Sequence, residues 1–177
     1  MKKVFLAIVL IAAATVGANA QKGTKQISAG IELGFPTGDF SYGAKTGFGV
    51  NGKAIFGITD NGNITATTGF SNFGLKSYNS SNVSIIPFLG GYRHNFDGSV
   101  KGLYAEPQIG LGLYMSKYGT GGYKTKESEV DFTWALGGGY VYQNFDFGLR
   151  YQRAQATGGG AGFFALKVAY NFPMPGK

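Results

Sequence analysis

Bulky apolar residues recur at every second position in about eight stretches of this chain. The clearest stretch runs from Val130 to Gln143 and places small or polar residues between the large ones. A period of two indicates a β-strand, because successive side chains point to opposite faces of the pleat. One face of this stretch consists of Val130, Phe132, Trp134, Leu136, Gly138, Tyr140 and Tyr142.

The same alternation predicts eight strands joined by connections of alternating length. The predicted strands are 26–35, 46–59, 63–71, 83–95, 102–115, 130–143, 145–152 and 162–172. Short turns are expected around Asn61, Asp97 and Asn144, and longer loops at 36–45, 72–82, 116–129 and 154–161. Pro87 cannot donate to a strand ladder, so a bulge or register shift is expected there. An even strand count with alternating short turns and long loops is typical of outer-membrane barrels. The prediction is an all-β fold, an eight-stranded antiparallel up-and-down transmembrane β-barrel.

Alternation alone does not say which face is inside, and a soluble barrel would bury the apolar face. Three features favour the membrane arrangement. The polar face is mostly Gly, Ser, Ala and Thr, its charges lie mid-strand with mixed signs, and Tyr and Phe cluster near strand ends as girdles do. In a narrow lumen those charges should pair, because an unpaired buried charge is costly. The predicted lumenal charge network is Glu32, Lys53, Arg93, Glu106, Asp131, Arg150 and Lys167, with Glu106 and Arg93 on neighbouring strands.

Residues 1–20 have the three parts of a cleaved export signal. Lys2 and Lys3 precede an apolar run at 4–16, and Ala18-Asn19-Ala20 is a small-residue cleavage site. Residues 21–177 would then form a single outer-membrane barrel domain. Loss of Lys2 and Lys3 lowers the net charge from +7 to +5. The remaining Lys and Arg are spread along the chain, which favours anionic lipid over nucleic acid as a partner. The chain contains no cysteine, so disulfides and thiol chemistry are excluded.

Catalytic and cofactor motifs are weak. Residues 47–52 match a dinucleotide-binding glycine fingerprint, but they lie within a predicted strand and no helix follows. The single histidine, His94, falls where the fourth strand returns to the periplasm, whereas lipid-modifying barrel enzymes work near the outer leaflet. One His, no Cys and scattered carboxylates do not suggest a metal site. No enzyme activity, cofactor or metal is predicted.

Two segments resemble the porin-like outer-membrane β-barrel-domain proteins. The run from Glu32 to Phe40, followed by Gly47-Phe48-Gly49, is similar to their opening hairpin. The last strand ends Tyr170-Asn171-Phe172, similar to the aromatic signal that the barrel-assembly machinery recognises. The resemblance implies a small eight-stranded barrel of the OmpX and OmpA-membrane-domain type in a Gram-negative outer membrane. It implies assembly through Tyr170 and Phe172, and it implies no reaction.

The long outer loops are the predicted seat of function. Basic and aromatic residues in them suit the phosphates and sugars of lipopolysaccharide, or an extracellular partner. The first prediction is a structural or surface-interaction barrel with a lumen filled by side chains. The alternatives are a narrow channel for ions or small solutes and, less favoured, a lipid-modifying enzyme. The predicted loop contacts are Lys76, Tyr78, Lys117, Tyr118, Tyr123, Lys124 and Lys126, and Phe73 is placed in the same loop as Lys76.

Overall fold

The computed structural model describes residues 25–76, 81–98, 100–120, 123–155 and 160–174. The predicted export signal lies outside these residues. Among the described residues, no helix is both long enough and apolar enough to cross a membrane. The elements are β1 Lys25–Thr37, α1 Asp39–Gly43, β2 Ala44–Gly57, β3 Gly62–Leu75, β4 Asn82–Asn95, β5 Gly102–Thr120, β6 Tyr123–Tyr142, β7 Phe145–Gln155 and β8 Gly162–Met174.

The eight strands form a closed antiparallel barrel in chain order. Each strand pairs with the next, and β8 closes the barrel on β1 from Lys25↔Met174 to Thr37↔Gly162. Closure leaves no sheet edge within the wall, which is what a strand structure needs in order to span lipid. The predicted up-and-down eight-stranded barrel is confirmed. We call the end that holds Lys25 and Met174 periplasmic and the opposite end extracellular, following the usual arrangement of such barrels.

Exposure along the strands shows which face is inside. The outward side chains are large and apolar, for example Leu136 at 57% exposed and Ile109 at 64%. The inward side chains include Arg93 at 2% and Asp146 at 0%. A soluble barrel would have the opposite distribution, so the apolar wall faces lipid and the polar side chains fill the lumen. The soluble alternative is wrong.

One outer connection differs from the prediction, because most of 116–129 is strand. β5 and β6 pair as far as Thr120↔Tyr123, while β5 pairs with β4 only as far as Lys117 and β6 pairs with β7 only from Phe132. The two strands therefore continue past the barrel wall as a projecting hairpin. The hydrophobic alternation stops there because water reaches both faces of a hairpin above the membrane, so neither face needs to be apolar.

The irregularity expected at Pro87 is absent. Thr68↔Phe88 and Ser71↔Ile85 keep one register across β3 and β4. Pro87 has no pair on β3, and on its other side it pairs with Gly112 of β5. Its ring is buried and faces the lumen. The missing N–H of Pro87 therefore removes pairs from the β3–β4 ladder, but no extra residue is inserted into either strand. A register shift is found instead on β2, between Ala44 and Gly47.

Candidate functional site

The periplasmic half of the lumen contains a cluster of five charged side chains. Glu106 accepts hydrogen bonds from the Lys53 ammonium at 2.6 and 2.8 Å and from Arg93 Nε at 2.9 Å. Arg93 also pairs with Asp146 at 3.1 Å, and Asp146 pairs with Lys167 at 2.8 Å. β2, β4, β5, β7 and β8 are thus linked across the barrel interior. We call Lys53, Arg93, Glu106, Asp146 and Lys167 the central cluster.

Tyr104 packs inside the central cluster because two glycines leave room for its ring. Its hydroxyl donates to Asp146 Oδ1 at 2.7 Å, and the Arg93 guanidinium lies 3.7 Å from the ring centroid. A Cβ at Gly139 would lie 2.6 Å from the Tyr104 hydroxyl oxygen, and one at Gly148 would lie 2.8 Å from it. The small residues of the inner face thus make space for a large polar one.

A second group of polar side chains surrounds Glu32. Arg150 pairs with Glu32 at 3.0 Å, Ser71 donates to it at 2.7 Å, and Asn51 donates at 3.3 Å. A cavity of about 20 Å³ separates this group from the central cluster and is lined by Lys53, Glu106, Arg150 and Lys167 among others. That volume holds about one water molecule. The cavity therefore does not form a continuous aqueous path.

Six of the seven predicted network residues are brought together in these two groups, but Asp131 is not. Asp131 is half-exposed on β6 at the extracellular side, and its side chain forms no ion pair or hydrogen bond within the described residues. It lies one residue beyond Phe132, the last β6 residue that pairs with β7, at the extracellular opening of the lumen. Asp131 is at an inward-facing position of β6, as predicted, but it lies too close to the extracellular end of the strand to reach the packed interior.

The extracellular half of the lumen is filled by an aromatic plug that was not predicted from the sequence. Phe73, expected in a loop, is fully buried and packs edge-to-face on Phe163 with ring centroids 5.0 Å apart. Phe40 of α1 packs on Phe73 from above at 5.2 Å. We call Phe40, Phe73 and Phe163 the aromatic plug. Its signal was present, because Phe73 continues the inward parity of β3.

The predicted loop contacts lie at the extracellular end where they are described. Lys76 is exposed and its ammonium donates to the Ser41 carbonyl at 2.7 Å, which ties the second outer connection to α1. Lys117 is exposed at the last β5 residue paired with β4. Tyr78 and the side chains of Tyr118, Tyr123, Lys124 and Lys126 lie outside the described residues. Contact with lipopolysaccharide stays a prediction for all of them.

The aromatic residues of the periplasmic end face outward. The rings of Tyr170 and Phe172 are 4.8 Å apart on the lipid side of β8, and their role in assembly stays a prediction. His94 also faces outward, between Tyr92 and Phe96, so it belongs to an aromatic band at the membrane interface. Within the described ranges, no three His, Cys, Asp or Glu side chains converge on a metal position.

Comparison with solved structures places this architecture among known barrels. Ail, the attachment invasion locus protein of Yersinia pestis, superposes with a TM-score of 0.65 at 16% identity over 86% of this chain and all of Ail. The N-terminal β-barrel domain of Pseudomonas aeruginosa OprF gives 0.61 at 12% identity over 85% of this chain and all of that domain. Neisserial surface protein A gives 0.53 at 16% identity over 86% of this chain and 97% of that protein.

The likeness to these structures is one of fold. No protein-family model and no curated protein matches the chain. The matched structures are small outer-membrane barrels, and nearly the whole of each is covered. The chain therefore has the fold of the small eight-stranded outer-membrane β-barrels.

Proposed function

We propose that this protein is a non-conducting outer-membrane barrel that acts through its extracellular end. The observation that carries the proposal is the filled lumen. The central cluster occupies the periplasmic half, the aromatic plug occupies the extracellular half, and the cavity between the two polar groups has a volume of only about 20 Å³. We expect side chains packed in this way to leave a solute no open route through the described part of the lumen. The surface that remains for function is the part that projects from the membrane.

The projecting hairpin supplies that surface, because it ends in an unpaired strand edge. Within the described part of the chain, residues 123–131 of β6 pair with β5 and have no partner on the β7 side. At about 3.3 Å per residue this edge is about 30 Å long. An open edge is a template to which an extended peptide can add as a further strand. We propose that the β6 edge binds an extended segment of an extracellular partner.

The register identifies which backbone groups of the edge are free. The β4–β5 ladder is interrupted opposite Pro107, so odd-numbered residues of β5 direct their backbone groups toward β4. Even-numbered residues of β5 therefore bond to β6, where they pair with odd-numbered residues such as Gly137. Even-numbered residues of β6 then point toward β7. Ser128 and Val130 thus present N–H and C=O groups that have no partner among the described residues.

Proline at those two positions tests the proposal. A Ser128→Pro, Val130→Pro variant removes two edge donors and leaves the β5–β6 bonds in place, since proline is tolerated on an edge. The probe is a phage-displayed heptapeptide library selected on the refolded barrel in detergent. Peptides that add as strands should bind this variant at least about tenfold more weakly, and a Ser128→Thr, Val130→Thr control should bind them normally. Equal binding to both variants would contradict strand addition.

Two further functions have less support. A channel would need a wetted path that the aromatic plug blocks at Phe73 and Phe163. A lipid-modifying enzyme of the histidine type would need its imidazole near the outer leaflet, and His94 lies at the opposite end of β4, beside Asn95. The proposal is therefore a non-enzymatic surface role.

A further inference from the structure

A groove on the lipid-facing wall lies across β6, β7 and β8. Its volume is about 460 Å³, and it is open along its lipid-facing side. Gly138 on β6 lines the groove and adds no side chain to the outer wall. On the β7 side, Gly138 faces Leu149. The lining residues are Trp134, Leu136, Gly137, Gly138, Leu149, Tyr151 and Phe164.

The extracellular part of the groove is aromatic. Trp134 packs edge-to-face on Tyr151 at 5.6 Å, and Tyr151 contacts Phe164 at 5.0 Å. Trp134 and Tyr151 are half-exposed, and neither polar group has a hydrogen-bond partner among the described residues. Side chains with an apolar body and a polar tip are typical of the boundary between acyl chains and headgroups. The groove thus has an apolar lower part and hydrogen-bond donors at its upper end.

Among the described side chains, the cation of Arg153 lies directly beyond that upper end. Arg153 is paired with Trp134 on β6 and with Gly162, the first residue of β8. These three paired residues therefore lie at the extracellular rim of the barrel wall. Arg153 is exposed on the outward face and forms no ion pair or hydrogen bond with the described part of the chain. Its guanidinium is free to form paired hydrogen bonds with a phosphate.

We propose that this groove binds a phosphorylated glycolipid of the lipid A type from the outer leaflet. One acyl chain lies along Leu136, Gly138 and Leu149, and a phosphate binds Arg153 beside the Tyr151 hydroxyl. Charge complementarity selects an anionic lipid, and the position at the extracellular rim selects the outer leaflet. The site rests on the extracellular orientation of the barrel and not on the β6 edge, so strand addition and lipid binding succeed or fail separately.

The fluorescence of Trp134 reports occupancy of the groove, because it is the only tryptophan of the chain. The barrel is refolded into vesicles of phosphatidylcholine brominated in its acyl chains, which quench the indole. Purified lipid A is then added. If lipid A binds, emission should reach half recovery at a lipid A mole fraction at least about tenfold lower than the fraction at which dilution of the quencher alone would give half recovery. Phosphatidylglycerol and dephosphorylated lipid A are the comparison lipids.

Matched variants separate specific binding from general lipid contact. Arg153→Gln should raise the half-recovery mole fraction of lipid A about threefold to tenfold. Lys25→Gln, which removes an outward cation at the periplasmic end, should leave it unchanged, and heat-modifiable mobility on a gel verifies that each variant is folded. Recovery by dilution alone, equal recovery by phosphatidylglycerol, or an Arg153→Gln curve identical to the parent would each overturn the proposal.

Discussion

Replacement of Glu106 by glutamine probes the central cluster at its most connected residue. The carboxylate is 2% exposed and accepts hydrogen bonds from Lys53, Arg93, Thr65 at 2.9 Å and Gln108 at 2.9 Å. Glutamine has nearly the same shape but no charge, and it places an amide N–H₂ where one acceptor oxygen was. The change therefore removes the charge while it preserves the packing.

The expected loss of stability depends on which ion-pair partners Arg93 and Lys53 keep in the variant. Arg93 keeps Asp146 at 3.1 Å, but Glu106 is the only ion-pair partner of Lys53 among the described residues. Removal of one partner from a buried pair costs about 3–5 kcal/mol, because the remaining charge is left without compensation. We expect the free energy of unfolding of Glu106→Gln to fall by that amount, which is at least about a hundredfold in the unfolding equilibrium constant.

Urea unfolding in detergent micelles or vesicles measures this difference. Emission from Trp134 follows the transition, and heat-modifiable migration counts the folded fraction independently. Adding Lys53→Met to Glu106→Gln should restore part of the loss, because the uncompensated ammonium is then removed as well. Glu127→Gln on the exposed part of the hairpin is the matched control and should change stability by less than about 0.5 kcal/mol.

The result that would refute this reasoning is a small effect at Glu106. A loss below about 1 kcal/mol would mean that Lys53 is not left as an uncompensated charge, because water screens the ammonium or the amine loses its proton. A further loss on adding Lys53→Met would show that the ammonium stabilises the fold through another contact. Either outcome would remove the central cluster as the element that holds the lumen closed.

Three further outcomes follow from the same packing. Gly47→Ala should lower stability by about 1–3 kcal/mol in urea unfolding, because its new Cβ would contact the Phe73 ring, and Phe73→Leu in the same chain should restore part of the loss. Arg150→Gln should cost less than Glu106→Gln in the same assay, because the Arg150 side chain is 13% exposed. Phe172→Ala should slow folding by purified barrel-assembly machinery and change urea stability little; unchanged folding kinetics would contradict the assembly role.

The barrel wall was predictable because lipid imposes a strict rule on it. Outward positions between the interfaces are predominantly apolar, so a period of two runs through β6 from Val130 to Tyr142 and recurs in the other strands. The charged members of the lumen were predictable for the same reason, since Lys53, Arg93 and Glu106 interrupt apolar strands at inward positions. Strand parity shows that they face one another, but it does not show which atoms pair.

The extracellular end was harder to predict because the lipid rule stops there. In the hairpin both faces meet water, so the residues from Ser116 to Glu127 show no alternation and their sequence predicts a loop. The sequence predicts a loop at Phe73 because the polar residue Asn72 interrupts the alternation, whereas in the structure Asn72 donates to Ser84 across the outer wall. The aromatic plug depends on α1, a five-residue helix whose sequence has no periodicity to detect.

The central claim is that the lumen is closed, and single-channel conductance of the refolded chain in a planar bilayer tests it directly. The parent barrel should insert without discrete openings. A Phe73→Ala, Phe163→Ala variant that still folds should show larger leakage, because the aromatic plug is then removed. Reproducible openings of the parent protein would contradict the account. A channel would be favoured if these openings were unchanged in the variant and reduced by substitutions at Lys53 or Arg150.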